Sequence, residues 1–282
     1  MADKKDDHKL VPKTGQSGLV KSGGAPDIVA MRKKLGSSLP IKSSGLGQVS
    51  KNTLIADLQV LMMFDITGSM FPYFKLVREK LKEIIARIQA DKVASEFAVF
   101  AFRNHGDEGN YEQIFYTSPL TSSREDLYAH IAEIKKGGGG QDALTCMEEC
   151  LEAANKLLWQ PRAAKAVVII GDMPPHGVID PVSVCPGNID YQEEIDQLKN
   201  KGVKIYSVYC GEKSGDVEMF FKFASKQTNG KFLKISEIDI LAELLIGICM
   251  RETGQLSQFL EEVQKSKKFK PGQKKTLLML KD

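Results

Sequence analysis

Leu58-Gln59-Val60-Leu61-Met62-Met63-Phe64-Asp65-Ile66-Thr67-Gly68-Ser69-Met70 is the stretch from which the rest of this chain is best read. Leu58 to Phe64 is nearly continuous in apolar side chains, the pattern of a central parallel strand buried on both faces. The run ends on the carboxylate of Asp65. Two hydroxyl residues, Thr67 and Ser69, follow at alternate positions around Gly68, which permits a tight turn. Phe71 to Gln89 is then amphipathic, with Phe74, Val77, Leu81, Ile84, Ile85 and Ile88 on one stripe. Strand, oxygen-bearing turn and helix together form one unit of a parallel α/β sheet.

The alternation continues on both sides of this unit. Glu96 to Phe102 and Gln113 to Thr117 read as strands joined by a polar loop, and Ser123 to Lys135 as a helix with Ser123 as its cap. Gly137 to Gly140 break the chain before a helix expected over Asp142 to Leu158. Ala166 to Ile170 is a second fully buried strand. Tyr191–Asn200, Val217–Lys226 and Ile238–Arg251 read as helices, and Val203–Tyr209 and Lys231–Ile235 as strands. The expected fold is α/β: a doubly wound, mostly parallel six-stranded sheet with helices on both faces. Such a sheet binds ligands beyond the carboxyl ends of its strands, where the strand order reverses. Asp65 and Asp172 each follow a buried strand, so neighbouring strands would bring both carboxylates to one crevice.

Charge divides the 282 residues into three parts. Residues 1–52 carry 10 Lys/Arg against 4 Asp/Glu, and residues 264–282 carry 7 against 1, leaving 22 against 31 in residues 53–263. An acidic body between two basic tails suits cations at the body and acidic proteins or anionic surfaces at the tails. Nucleic acid is a weaker candidate for the tails. Residues 1–52 are rich in Gly, Ser and Lys without a helical or strand period, and read as a disordered basic arm. Residues 53–252 read as the folded domain, and residues 253–282 as a C-terminal helix followed by a Lys-rich tail. The five cysteines form no stapling pattern, which points to buried thiols in a reducing, cytoplasmic setting. Cys146 and Cys150 share a helix face, a pair too sparse for zinc without His or Cys nearby. The charged N-terminus lacks the apolar segment of a secretory signal. No apolar run approaches the roughly 20 residues of a membrane span.

Asp65, Thr67 and Ser69 can face one point from such a turn. Mg²⁺ prefers octahedral oxygen coordination, with few carboxylates and several waters. The helix beginning near Phe71 adds a positive end that favours an anionic ligand beside the metal. Thr67 and Ser69 as capping residues, with Asp65 a turn former, is the plainer alternative. Gly171-Asp172-Met173-Pro174-Pro175-His176-Gly177 supplies the second acid on a loop stiffened by two prolines. His176 is read as an outer hydrogen-bond donor, a loop lock or an exposed side chain before it is read as a ligand.

These two motifs, in this order, resemble the von Willebrand factor type A family and its metal-ion-dependent adhesion site. The family's Asp-x-Ser/Thr-x-Ser motif is matched by Asp65, Thr67 and Ser69, and its later aspartate by Asp172. Thr-Gly-Ser-Met with Asp-x-Pro-Pro-His-Gly is most similar to the intracellular branch found beside alpha-kinases and in microbial proteins. Phe102-Arg103-Asn104-His105 resembles a Tyr-Arg-Asp-His-like segment of that branch, with Asn104 in place of the acid. The resemblance covers roughly residues 55–252. It departs at the second metal loop, where the four-glycine turn is followed by Gln141-Asp142. Asp142 is the nearest oxygen donor there, either a ligand or a helix-start acid favoured by the dipole.

The resemblance implies a metal-dependent protein-interaction module, in which a partner's Asp or Glu completes the shell of a Mg²⁺ ion, or of Mn²⁺ or Ca²⁺ in its place. The expected metal residues are Asp65, Thr67, Ser69, Asp142 and Asp172. No catalytic residue is expected, since no phosphate loop, zinc-protease signature or trusted Ser-His-Asp spacing is present. Two other readings stay open at this point. One is a structural assembly subunit that works through its basic arms and carries a vestigial metal site. The other is a Mg²⁺-dependent phosphoryl-transfer or hydrolase enzyme using Asp65, which lacks a second acid at Thr67's position.

Overall fold

The computed structural model describes residues 57–90, 93–107, 113–135, 144–212 and 215–281. The basic arm over residues 1–52, the turn Gly137 to Gly140 and Asp142 lie outside the described residues.

Strand β1 (Leu58–Asp65) is buried at all eight positions, as its apolar run requires. It pairs in parallel with β2 (Ser95–Phe102) on one side and with β4 (Ala164–Gly171) on the other. The short β3 (Phe115–Tyr116) lies antiparallel to β2, while β5 (Lys204–Tyr209) and β6 (Phe232–Lys234) extend the parallel part beyond β4. The six-stranded order is β3-β2-β1-β4-β5-β6. The order reverses between β1 and β4, with Phe64 opposite Ile170, so the turns after these strands open side by side.

Alternation along β1 feeds a core on each face. Leu58, Val60, Met62 and Phe64 pack with helix α1 (Phe71–Ala90), whose expected stripe of six apolar residues is buried. Leu61 and Met63 join the opposite core with helices α3 (Met147–Asn155), α4 (Tyr191–Asn200) and α5 (Asp216–Gln227). Burying each large apolar side chain contributes about 1.5–3 kcal/mol before entropy is counted. Gln59 is the polar exception in β1. Its amide donates to Glu96 Oε2 at 2.6 Å and its oxygen accepts from Gln160 N at 2.7 Å, so its burial leaves these groups bonded. Helix α2 (Arg124–Glu133) starts as expected, with Ser123 Oγ accepting from Asp126 N.

Two segments differ from the sequence expectation. The helix expected from Asp142 begins only at Met147, because Thr145 is held in a bridge to Asn104 at the end of β2. The C-terminal stretch, expected as a helix and a Lys-rich tail, forms two helices, α7 (Leu256–Lys265) and α8 (Pro271–Leu278). Leu277 and Leu280 are fully buried in the same core as helix α6 (Leu241–Glu252). Basic residues of this stretch also turn inward. Lys268 Nζ lies 2.7 Å from the buried Glu243, which Arg87 meets from α1 at 2.7 Å, and Lys270 Nζ lies 3.1 Å from Glu237. Among the described residues no helix is long and apolar enough to cross a membrane.

Candidate metal centre

Asp65 is the last residue of β1 and is completely buried. Its Oδ1 accepts from Thr67 N at 2.8 Å and from Thr67 Oγ1 at 2.6 Å. The turn is closed by Met70 N and Phe71 N, which both donate to Thr67 O, and α1 starts at Phe71. Gly68 and Ser69 are exposed at its outer edge. From there Ser69 Oγ donates to Asp172 Oδ2 at 2.8 Å. The structure therefore brings Asp65, Thr67, Ser69 and Asp172 together at the carboxyl edge of the sheet. Asp142, the fifth expected ligand, lies outside the described residues.

Among the described residues, the electrostatics of this cluster are those of two acids without a countercharge. Burial pushes the Asp65 carboxyl up to about 7, the neighbouring Asp172 carboxylate adds to the rise, and the Thr67 hydrogen bonds oppose it. Asp65 Oδ2 and Asp172 Oδ1 are buried and have no hydrogen-bond partner among the described residues. No lysine or arginine of the described residues pairs with either acid. Gly171 leaves room above Asp65, since a Cβ there would meet Asp65 Cβ at 3.3 Å and stand 3.7 Å from Oδ2. A hard divalent cation fits this donor set: carboxylates with orphaned oxygens, two hydroxyls nearby and a helix start for an anionic co-ligand. Tyr73 and Cys210 lie within the same field. Burial first, and Asp172 after it, raise the Cys210 thiol, and burial leads in raising the Tyr73 phenol.

His176 proves to be a lock on the second loop. It is buried, and Glu148 Oε1 accepts from its backbone N–H at 2.6 Å and faces its Nδ1 at 2.8 Å. Pro174 O on the same loop accepts from Thr145. The loop that carries Asp172 is thus tied to the start of α3.

A second group of chemically active side chains escaped the sequence reading. His105, Glu148, Glu149 and Cys185 place one ligating atom each within 4.8 Å of one another. Cys146 also contacts His105. Cys146 and Cys150 alone are too sparse a pair for zinc, but folding delivers His105 and Cys185 to the same place. The positions span 81 residues and share no local spacing. The Asn104-His105 segment was the one available signal.

The family model that matches this chain is the von Willebrand factor type A domain, over residues 59–245. An ariadne-like RING finger protein of Acanthamoeba polyphaga mimivirus, a designation that is itself provisional, is 24% identical over 220 residues. That match covers 74% of this chain and 21% of the viral protein, so the chain spans about a fifth of the length of that relative. Among solved structures, the pilus adhesin SpaC of Lactobacillus rhamnosus GG in its open conformation superposes with a TM-score of 0.51 at 12% identity, covering 73% of this chain and 31% of the adhesin. A von Willebrand factor type A protein from Catenulispora acidiphila gives a TM-score of 0.49 at 16% identity, covering 71% of this chain and 43% of the other. The likeness to the adhesin concerns the fold alone.

Proposed function

Because the chain belongs to the von Willebrand factor type A domain family, whose members commonly serve as protein-interaction modules, we propose that it grips a protein partner through a divalent metal held at the carboxyl edge of its sheet. The observation that carries this reading is the convergence of Asp65 and Asp172, each with a buried carboxylate oxygen that, with both acids ionised, no described group satisfies. Two buried acids side by side cost stability unless a cation offsets them. Asp65, Thr67, Ser69 and Asp172 would hold the ion, with Asp142 as a fifth candidate. Mg²⁺ suits these oxygens, and Mn²⁺ or Ca²⁺ could take its place.

Bound there, the ion supplies an incompletely neutralised positive charge that attracts a carboxylate. The chain's own part is to hold that charge at a rigid, partly dry edge. Thr67 fixes the rotamer of Asp65, Ser69 braces Asp172, and the start of α1 adds its positive end. The partner is accordingly a protein that presents Asp or Glu. The reading assigns no catalytic step. The basic arm and the outward-facing C-terminal lysines offer a second contact to acidic partners, weakened by salt. Five free cysteines accord with a reducing, cytoplasmic setting.

The test is affinity capture with the full chain in Mg²⁺ and in chelator, with Asp65→Ala as the control. A protein retained only by the wild type, and only in Mg²⁺, is the expected result. Capture of the same set of proteins in chelator, or by Asp65→Ala, would overturn the reading.

A further inference from the structure

We propose that His105, Glu148, Glu149 and Cys185 form a zinc site, separate from the carboxylate edge and locking the loop that carries Asp172.

The four residues come from three elements. His105 opens the short 3-10 turn His105–Asp107 after β2. Glu148 and Glu149 lie in the first turn of α3, and Cys185 lies in the loop between β4 and α4. His105, Glu148 and Cys185 are each at least nine-tenths buried, and the Glu149 side chain is 13% exposed. His105 Nε2 stands 3.0 Å from Glu149 Oε1, and Cys185 Sγ stands 3.2 Å from the same oxygen.

A purely structural network would account for part of this. Glutamates in the first turn of a helix are favoured by its dipole, and His105 and His176 each face one Glu Oε1 atom. That account leaves Oε2 of both glutamates buried without a hydrogen-bond partner among the described residues. Two glutamates that each keep one buried, unpartnered oxygen, in a cluster with an imidazole and a thiol, are what an unfilled metal site presents. The donor set is nitrogen, sulfur and two oxygens. It suits zinc, which accepts all three in tetrahedral sites, and it does not suit Mg²⁺. Ligand atoms around tetrahedral zinc stand about 3.3–3.8 Å apart, given metal–ligand bonds of about 2.0–2.3 Å. The present separations, all within 4.8 Å, straddle that range: the 3.0 Å and 3.2 Å contacts of Glu149 Oε1 would open slightly as the metal takes the place of the hydrogen bonds, and the longest separations would close.

Binding balances in protons. Burial raises the Cys185 thiol, so it meets the ion protonated. The sulfur–zinc bond forms as the S–H proton leaves to solvent, and His105 binds through a neutral ring nitrogen, shedding its second proton if it carries one. His176 stays bonded to Glu148 and orients that ligand. Zinc would then tie the end of β2, the start of α3 and the loop after β4 into one unit. That unit includes the segment from Asp172 to His176.

Metal analysis of the full chain, reconstituted with zinc and then dialysed, is the first measurement. The expected result is close to one zinc per chain in the wild type and equally in Asp65→Ala, with little in the double variant His105→Gln, Cys185→Ser. Retention of zinc by Asp65→Ala separates this site from the proposed adhesion edge. Should the double variant not fold, wild-type protein loaded with cobalt(II) decides the matter. Tetrahedral thiolate ligation gives intense visible bands and a near-ultraviolet sulfur-to-metal charge-transfer band. A wild type that takes up no zinc, or whose cobalt form shows only the weak bands of the octahedral aqua ion, overturns the proposal.

Discussion

Ser69 Oγ donates to Asp172 Oδ2 at 2.8 Å, joining the turn after β1 to the loop after β4 across 103 positions of chain. This contact exists because β1 and β4 are neighbours in the sheet, with Phe64 opposite Ile170. The strand order reverses there, so the chain leaves the two strands toward opposite directions and opens a crevice between them. Two acids reach that crevice, Asp65 held by the Thr67 hydroxyl and Asp172 by that of Ser69.

Divalent metal should therefore stabilise the protein. An ion that binds only the folded state adds about 2.7 kcal/mol at a concentration 100 times its Kd. The melting temperature is expected to rise with Mg²⁺ or Mn²⁺ in the wild type and to stay constant in Asp65→Ala. Superimposable wild-type melting curves in millimolar Mg²⁺ and in chelator would count against an occupied site.

Without metal, the proton takes over the cation's role at Asp65. Its carboxyl is raised to about 7 by burial and by Asp172, against about 3.9 in an unfolded chain. A raised folded pKa means that the folded state keeps a proton the unfolded chain has released. The stabilising contribution is complete below about pH 4 and is lost as the pH rises through about 7. In chelator, the urea midpoint of the wild type should fall across this window more steeply than that of Asp65→Asn. Parallel pH profiles for the two proteins would show that Asp65 is ionised throughout.

How far the sequence reveals all this depends on the kind of signal. β1 and β4 were legible because burial on both faces writes a continuous apolar run. The six residues of α1 were legible because a single buried face writes a 3.6-residue stripe. Their adjacency was a condition the sequence left open; the pairing of Phe64 with Ile170 supplies it, and the reversal of strand order there then sets Asp65 beside Asp172. The start of α3 was not legible, since Thr145 is held by a bridge to Asn104 and by Pro174 O, both remote in sequence. The cluster around His105 has no local spacing to read. In the C-terminal stretch, seven lysines between 264 and 282 masked the two leucines, Leu277 and Leu280, that fix the segment to the core.

That docking is testable at Gly247, in the interior of α6. Glycine weakens a helix interior by about 1 kcal/mol relative to alanine, so its presence here needs a cause. A Cβ at this position would come within 2.6 Å of Leu280 Cδ1 and 2.8 Å of Phe259 Cε1. Phe259 and Leu280 are both buried, which limits how far they can yield. Gly247→Val should lower the unfolding free energy by about 1–3 kcal/mol through overpacking, read from urea denaturation. A wild-type midpoint would mean that α7 and the residues just after α8 do not press on α6 at this point.

Ser69→Ala separates a metal ligand from a loop brace. As a brace alone, Ser69 contributes one partly exposed hydrogen bond to a carboxylate, worth about 1 kcal/mol, and removing it should cost the same with and without metal. As a ligand or an orienting group for the ion, it should cost more as Mg²⁺ is added, because the variant fails to collect the metal's stabilisation. Thermal scans over a series of Mg²⁺ concentrations distinguish the two, with Asp65→Ala as the fully insensitive limit. The expected outcome is a deficit that widens with metal, since Ser69 Oγ lies against Asp172 at the open side of the crevice, where an ion entering from solvent must pass. A deficit that stays constant from chelator to saturating Mg²⁺ would remove Ser69 from the metal set and leave it as the strut that holds Asp172 beside Asp65.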